Sequence, residues 1–380
     1  MTEVVFDRRS VLGVVRRVVV KVGSSTLAAT GALDALVDAV AGLHRGNGEP
    51  PLEVAIVTSG AVACGMQRLG FAERPRELAR IQALAAIGQA DLMARYQASF
   101  ARHGRVAAQI LLTHQGLARR DDFLNVRHAL RELLELGVVP IANENDTVAT
   151  EELRFGDNDR LAAAFATVID ADLVILLSDI PHLFAEDPRQ NPAAEPVMEV
   201  PLIDESIHMM AGAAGSAVGT GGMASKILAA TIAVEAGIPL VIAHGRDPRI
   251  IHQIVAGEVV GTLFHPRKKL DRRRHWIGFL SRLSGSILID QGAVNALRGG
   301  RSSLLPIGVT GSDGYFARGD GVAIKGPDGQ VVARGLAGYD RDEVEQIRGL
   351  RSEAVAERLG KAPADPIEPV VHRNDLVLES

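Results

Sequence analysis

A single cysteine, Cys64, occurs in 380 residues. That excludes an internal disulfide and fits a reducing, cytoplasmic compartment. Its neighbours Ala63 and Gly65 offer nothing to activate a thiol, so it reads as a small packed residue. Aromatic residues are scarce, at 4%, and the core has to be built from Val, Leu, Ile and Ala. No run of about 18 apolar residues occurs, so the sequence predicts no membrane span. The N-terminus carries Glu3, Asp7, Arg8 and Arg9 without an uninterrupted apolar stretch behind them, which is not the pattern of a secretory signal. A strong charge of one sign is missing as well. The net charge of −5 gives no electrostatic reason to expect a nucleic acid partner. Three familiar motifs are absent: G-x-x-x-x-G-K-[ST], His/Cys pairs at zinc spacing, and G-x-S-x-G. Their absence argues against a Walker-type NTPase, a structural zinc site and a nucleophile-elbow hydrolase.

What is present is an ordinary globular composition, 47% hydrophobic and 23% charged, in a chain long enough for two domains. From residue 14 to about 256, apolar runs rich in Val and Ile alternate with helical patterns. Strands are expected at 14–22, 54–58, 109–112, 138–142, 173–177 and 239–243. They lack strict alternation, as strands covered on both faces do. Helices are expected at 122–136 and 158–169, the second with Leu161, Phe165 and Ile169 on one buried stripe. This repetition predicts an α/β domain: a mostly parallel open sheet sandwiched by helices. The expected divisions are this domain at 1–264, a basic linker at 265–283, a small β-rich domain at 284–362 and an extension at 363–380. In the small domain, strands are expected at 286–290, 308–309, 321–324 and 331–333, with helices at 292–298 and 341–347. Gly326-Pro327-Asp328-Gly329 marks a turn there.

Open parallel sheets bind ligands beyond the carboxyl ends of their strands, and here those ends are polar and glycine-rich. Lys21-Val22-Gly23-Ser24-Ser25 follows the first strand. A lysine ending an apolar strand must reach water, a carboxylate or a bound anion. Thr58-Ser59-Gly60-Ala61 follows the second, where Ser59 either caps a helix or faces a ligand. The fourth strand runs into Asn143-Glu144-Asn145-Asp146, and Gly156-Asp157-Asn158-Asp159 opens the 158–169 helix. Together these supply donors for a substrate carboxylate and acceptors for an amine, although helix capping would use the same residues. Gly219-Thr220-Gly221-Gly222-Met223-Ala224-Ser225-Lys226 is the sharpest signal: glycines and a threonine at a helix start form a nest of N–H groups suited to phosphate oxygens. Lys226 in that first turn opposes the helix dipole, a penalty that a nearby anion would reverse.

In order and spacing, these segments resemble the amino acid kinase family, and within it the branch that acts on glutamate. The stretch 300–306 and His372-Arg373-Asn374-Asp375 resemble the PUA domain and terminal signature of that branch. The resemblance implies transfer of the γ-phosphoryl of ATP, with Mg²⁺, onto the side-chain carboxylate of L-glutamate, the first step toward proline. It implies Lys21 and Lys226 at the transferring phosphoryl group and Asp159 orienting both. Ser59, Asp146 and Asn158 would bind glutamate, with Asn143 and Asp157 nearby. Gly23, Ser178, Asp179 and residues Thr220, Gly221, Gly222, Met223, Ala224, Ser225 and Lys226 would hold ATP. It further implies proline as feedback inhibitor, a downstream glutamyl-phosphate reductase, and a homo-oligomer, dimer or tetramer. His182, Phe184 and Ser225 stand where the family usually has glycine, tyrosine and threonine. A competing reading, RNA binding through the small domain, is disfavoured because residues 286–380 hold 11 Lys/Arg against 14 Asp/Glu.

Overall fold

The computed structural model describes residues 8–13, 15–43, 52–148, 158–213, 222–267, 277–278, 283–299, 302–359 and 369–379. The chain divides into two compact units, one comprising 1–116 and 123–269, the other 117–122 and 270–380.

Among the described residues the larger unit holds ten strands. These are β1 (Arg17–Val22), β2 (Glu53–Val57), β3 (Ala107–Leu112), β4 (Val139–Glu144) and β5 (Leu173–Ser178), followed by β6 (Leu183–Phe184), β7 (Pro196–Val197), β8 (Glu199–Val200), β9 (Leu240–His244) and β10 (Thr262–Phe264). Eight of them form one sheet in the order β3-β4-β2-β1-β5-β9-β10-β8, while β6 and β7 pair separately. All neighbours in the large sheet run parallel except β9 and β10. The helices are α1 (Arg8–Leu12), α2 (Ser24–Leu27), α3 (Ala32–Ala41), α4 (Ala61–Leu69), α5 (Leu78–Ala101) and α6 (His114–Ala118), then α7 (Arg120–Glu135), α8 (Asn158–Val168), α9 (Glu205–Ala213), α10 (Met223–Glu235) and α11 (Ile250–Val255).

Burial explains why these strands read as continuous apolar runs. Val18, Val19, Val20 and Val22 of β1 are all fully shielded, and each contributes about 1.5 kcal/mol or more through that burial. A core of α3, α5 and α11 side chains, including Leu36, Tyr96 and Ile251, covers one set of strand residues. Leu161, Phe165 and Ile169 are buried as the stripe predicts, but so is nearly every residue of α8. That helix is enclosed rather than amphipathic. Two differences from the sequence reading matter for the site. First, β4 continues through Asn143 and Glu144, both buried, so the polar cluster begins inside the sheet. Second, the 24-residue α5 packs closely on α4. A Cβ on Gly65 would lie 2.0 Å from the Leu84 carbonyl oxygen, and one on Gly88 would lie 1.9 Å from that of Ala61. Only glycine permits this approach. Cys64, on α4, packs partly against the core.

The smaller unit has its own core and a five-stranded sheet ordered β12-β11-β13-β14-β15. The strands are β11 (Leu283–Ile289), β12 (Val309–Gly314), β13 (Gly321–Lys325), β14 (Val331–Leu336) and β15 (Leu376–Leu378). Helices Gln291–Arg298 and Arg341–Ile347 start at Asp290 and Asp340, whose carboxylates accept from backbone amides in the first turn; the second carries a full capping box with Glu343. Of the basic run 267–274 only Arg267 is described, and it pairs with Glu235. No helix among the described residues is long and apolar enough to cross a membrane.

Candidate active site

The carboxyl ends of β1, β2 and β4 converge on the first turn of α8. Asp159, 1% exposed, lies between two ammonium groups. Lys21 Nζ stands 2.5 Å from Asp159 Oδ1, and Lys226 Nζ donates to Oδ2 at 2.8 Å. Ser225 Oγ reaches the same oxygen at 3.5 Å. Lys21 is 9% and Lys226 4% exposed, so neither strand-end nor helix-start lysine reaches out into water. Burial by itself would push the Asp159 carboxyl up, but Lys21 and Lys226 together outweigh it and hold the group below the usual carboxylate range. The anion that relieves the unfavourable place of Lys226 at the start of α10 is therefore supplied by α8. Counted over these three groups, two positive charges meet one negative charge, which leaves the site able to attract an anion.

One residue earlier the chemistry is neutral. Asn158 Nδ2 donates to the Thr58 carbonyl at 2.8 Å, Ser59 Oγ at 2.7 Å and Asn143 Oδ1 at 3.2 Å. Asn143 Nδ2 donates in turn to Gln89 Oε1 at 2.8 Å, and Gln89 Nε2 to Gln109 Oε1 at 3.2 Å. The Thr58 hydroxyl bonds the Tyr96 phenol at 2.9 Å, where burial pushes the phenol far above its usual range. Asn158 Oδ1 is buried and has no hydrogen-bond partner among the described residues. A buried acceptor left open beside a charged triad is what an incoming donor would complete.

The predicted residues thus sort into groups. Lys21, Asp159, Ser225 and Lys226 come together, as do Ser59, Asn143 and Asn158. Ser59 does not cap α4: the cap is Gly60, with φ 105°, and the serine oxygen instead accepts from Asn158. Asp146 sits in a short turn (Asp146–Val148), lining a cavity of about 320 Å³ with Gln89, Gln109 and Glu144. Burial raises its carboxyl despite the nearby charge of Arg74. Ser178 and Asp179 leave the end of β5, bonded to each other at 3.1 Å, and line a cleft of about 420 Å³ with Ser25, Thr26, His244 and Arg246. Gly23 and Gly222 cap α2 and α10 with extended backbone and no side chain over the free amides. Met223 is buried and Ala224 exposed. Gly156, Asp157, Gly219, Thr220 and Gly221 lie outside the described residues. His182 lies edge-on to Phe184, and burial lowers its imidazole. Sequence reasoning missed Gln89, Gln109 and Tyr96. A glutamine among the alanines of α5 has no local signature, and its partner Asn143 is 54 residues away.

Comparison with known proteins adds independent findings. Residues 16–244 match the amino acid kinase family and residues 285–359 the PUA domain. The chain is similar to the glutamate 5-kinase of Carboxydothermus hydrogenoformans, at 47% identity over 97% of this chain and 99% of that one. It is similar to that of Trichlorobacter lovleyi at 45%, over 98% and 99%. Against that of Pseudomonas syringae pv. tomato the identity is 44%, over 96% and 98%.

Proposed function

We propose, from the premise that this chain belongs to the amino acid kinase family, that it transfers the γ-phosphoryl of ATP to the side-chain carboxylate of L-glutamate. The product is glutamyl 5-phosphate and the reaction is the first step of proline biosynthesis. The observation that carries the reading is Asp159 held between Lys21 and Lys226 at the carboxyl edge of the sheet.

The nucleophile is a carboxylate with an ordinary pKa of about 4.3. It is ionised at neutral pH and needs no general base. One of its oxygens bonds to the γ-phosphorus while the bond to the β,γ-bridging oxygen breaks and ADP leaves. The obstacle is repulsion between anions, and phosphoryl transfer is governed by positioning and charge neutralisation. Lys21 and Lys226 provide the neutralising charge, and Asp159 keeps both directed at one point. Gly222 and the α10 amides, with Gly23, offer main-chain donors to phosphate oxygens. Ser59, Asn143, Asp146 and Asn158 hold glutamate, the open Asn158 carbonyl facing its ammonium group. Ser178 and Asp179 serve the nucleotide, and we extend that role to Thr220 and Gly221, as we extend substrate binding to Asp157.

Among the described residues no group of three or more His, Cys, Asp or Glu converges as a metal cage. The residues present fit Mg²⁺ carried by the nucleotide's own phosphates, a mode that asks for one or two protein oxygens at most. Bound there, it supplies additional neutralisation of phosphate charge. The reading extends to a cytoplasmic location, a homo-oligomer, inhibition by proline, delivery of the acyl phosphate to a reductase, and a catalytic domain at 1–264 followed by a linker and a PUA-like domain.

A coupled ADP-release assay with Mg·ATP and glutamate, with and without proline and with hydroxylamine to trap acyl phosphate, tests the proposal. Glutamate-dependent ADP and hydroxamate in equal amounts are expected. Turnover indifferent to glutamate, or stimulated instead by aspartate or N-acetylglutamate, would overturn it.

A further inference from the structure

We infer that Gln89 is a positioning residue for the acceptor substrate, acting through the Asn143 amide to keep the Asn158 carbonyl oxygen turned toward the substrate's ammonium group. The inference rests on the glutamate reading above and names a residue to which neither the sequence motifs nor that reading gave a role.

An amide side chain can sit either way round, because its oxygen and nitrogen have nearly the same shape. Which way it sits is fixed by its neighbours. The Thr58 carbonyl can only accept, so the side chain that meets it at 2.8 Å must present Nδ2. That sets Asn158, and it leaves Oδ1 as the atom without a partner. Asn143 then has to offer its oxygen to Asn158 and its nitrogen to the other side, where Gln89 Oε1 receives it at 2.8 Å. If that acceptor is removed, the buried Asn143 Nδ2 is left without it, and only the 3.2 Å bond from Asn158 still orients the amide. Any turn that seeks another acceptor for that nitrogen brings two NH₂ groups together and displaces Asn158 from the Thr58 carbonyl and Ser59. Gln89 is 8% and Asn143 2% exposed, so water has little access to replace the missing bond. Gln109, the next member, is exposed and accepts from Gln89 Nε2 at 3.2 Å; the buried part of the relay therefore ends at Gln89.

The fold holds Gln89 in place by steric means. The preceding residue, Gly88, lies against the Ala61 carbonyl and the Gly65 amide so tightly that a Cβ there would come within 1.9 and 2.3 Å of them. The α5 backbone is thus locked to the start of α4, immediately after Ser59 and Gly60. Among the described residues Gln89 makes no hydrogen bond to Lys21, Lys226 or Asp159, and its effect should fall on acceptor binding.

The test is steady-state kinetics of the full chain with glutamate and ATP varied separately, using Gln89→Met, which keeps the volume and removes both amide functions. The KM for glutamate is expected to rise about tenfold or more, with kcat and the KM for ATP within about threefold of wild type. Gln89→Glu, which still offers an acceptor to Asn143, is expected to recover most of the lost affinity. In an Asn143→Ala background, Gln89→Met should change the glutamate KM by less than about twofold. An unchanged glutamate KM, a parallel rise in the ATP KM, or a full effect persisting without Asn143 would each overturn the inference. Should Gln89→Met fail to fold, Gln89→Asn, shorter by one methylene, is judged by the same criteria. A wild-type chain that releases no ADP in response to glutamate overturns the reaction itself; an active wild type with an indifferent variant overturns only the role of Gln89.

Discussion

Asn158 and Asp159 are consecutive residues on one helix, yet they organise opposite kinds of chemistry. Asp159 gathers full charges, buried and within 2.8 Å, whose influence falls off slowly with distance. Asn158 gathers neutral dipoles, where direction decides everything and each bond needs a particular partner. The charged half suits a reaction that accumulates repulsion between anions. The neutral half suits recognition of a small zwitterion. Damage to the first should therefore appear in turnover, damage to the second in the affinity for glutamate.

The largest effect is expected from Asp159→Asn, which leaves two ammonium groups buried without their carboxylate. A loss of about 3 kcal/mol or more in stability, read from denaturant midpoints, accompanies loss of activity. Retention of full stability would mean the triad is held by something else. Lys226→Ala is expected to lower kcat about a hundredfold or more, with the glutamate KM changing far less. An effect confined to KM would erase the proposed division of labour. Asn158→Ala should do the reverse, raising the glutamate KM about tenfold to a hundredfold and sparing the ATP KM. Tyr96→Phe, which removes the phenol's bond to the buried Thr58 hydroxyl and leaves that hydroxyl only its longer bond to the Ser59 carbonyl, is expected to cost about 1 kcal/mol in thermal or chemical stability and little activity.

Acid sharpens the contrast further. The Asp159 carboxyl is depressed in the folded chain, so its contribution to stability is complete above the unfolded value near pH 4 and is lost as pH falls through the lower, folded one. Asp146 moves the other way: burial raises it, so its protonation begins at higher pH than for an ordinary carboxyl. The glutamate KM should accordingly rise on acidification while stability still holds, and Asp146→Asn should flatten that rise. A KM that climbs only where the protein unfolds would dissociate Asp146 from binding.

Much of this was legible in the sequence because strands covered on both faces leave apolar runs, and because a lysine at the end of such a run demands an explanation. The positions of Lys21, Ser59, Asn143 and Lys226 at strand and helix ends follow from that logic. Other parts were not legible for equally physical reasons. Ser59 resembled a cap because any serine before a helix does, and only the tertiary approach of Asn158 shows that its oxygen is already used. The polar run after 142 looked like a loop, whereas Asn143 and Glu144 remain in β4 because both are buried and paired along β3. Nothing local distinguishes Gln89 or Tyr96, since their partners are brought to them by packing between distant segments.

The close seating of α4 on α5 at Gly65 and Gly88 has a mechanical consequence. With backbone against backbone there is no side-chain cushion to absorb a shift, so the two helices move as one lever or not at all. Whatever displaces α5 from outside would be delivered undamped to the proposed seat of the substrate, and a single added methyl at either glycine should act like a shim that spoils its alignment.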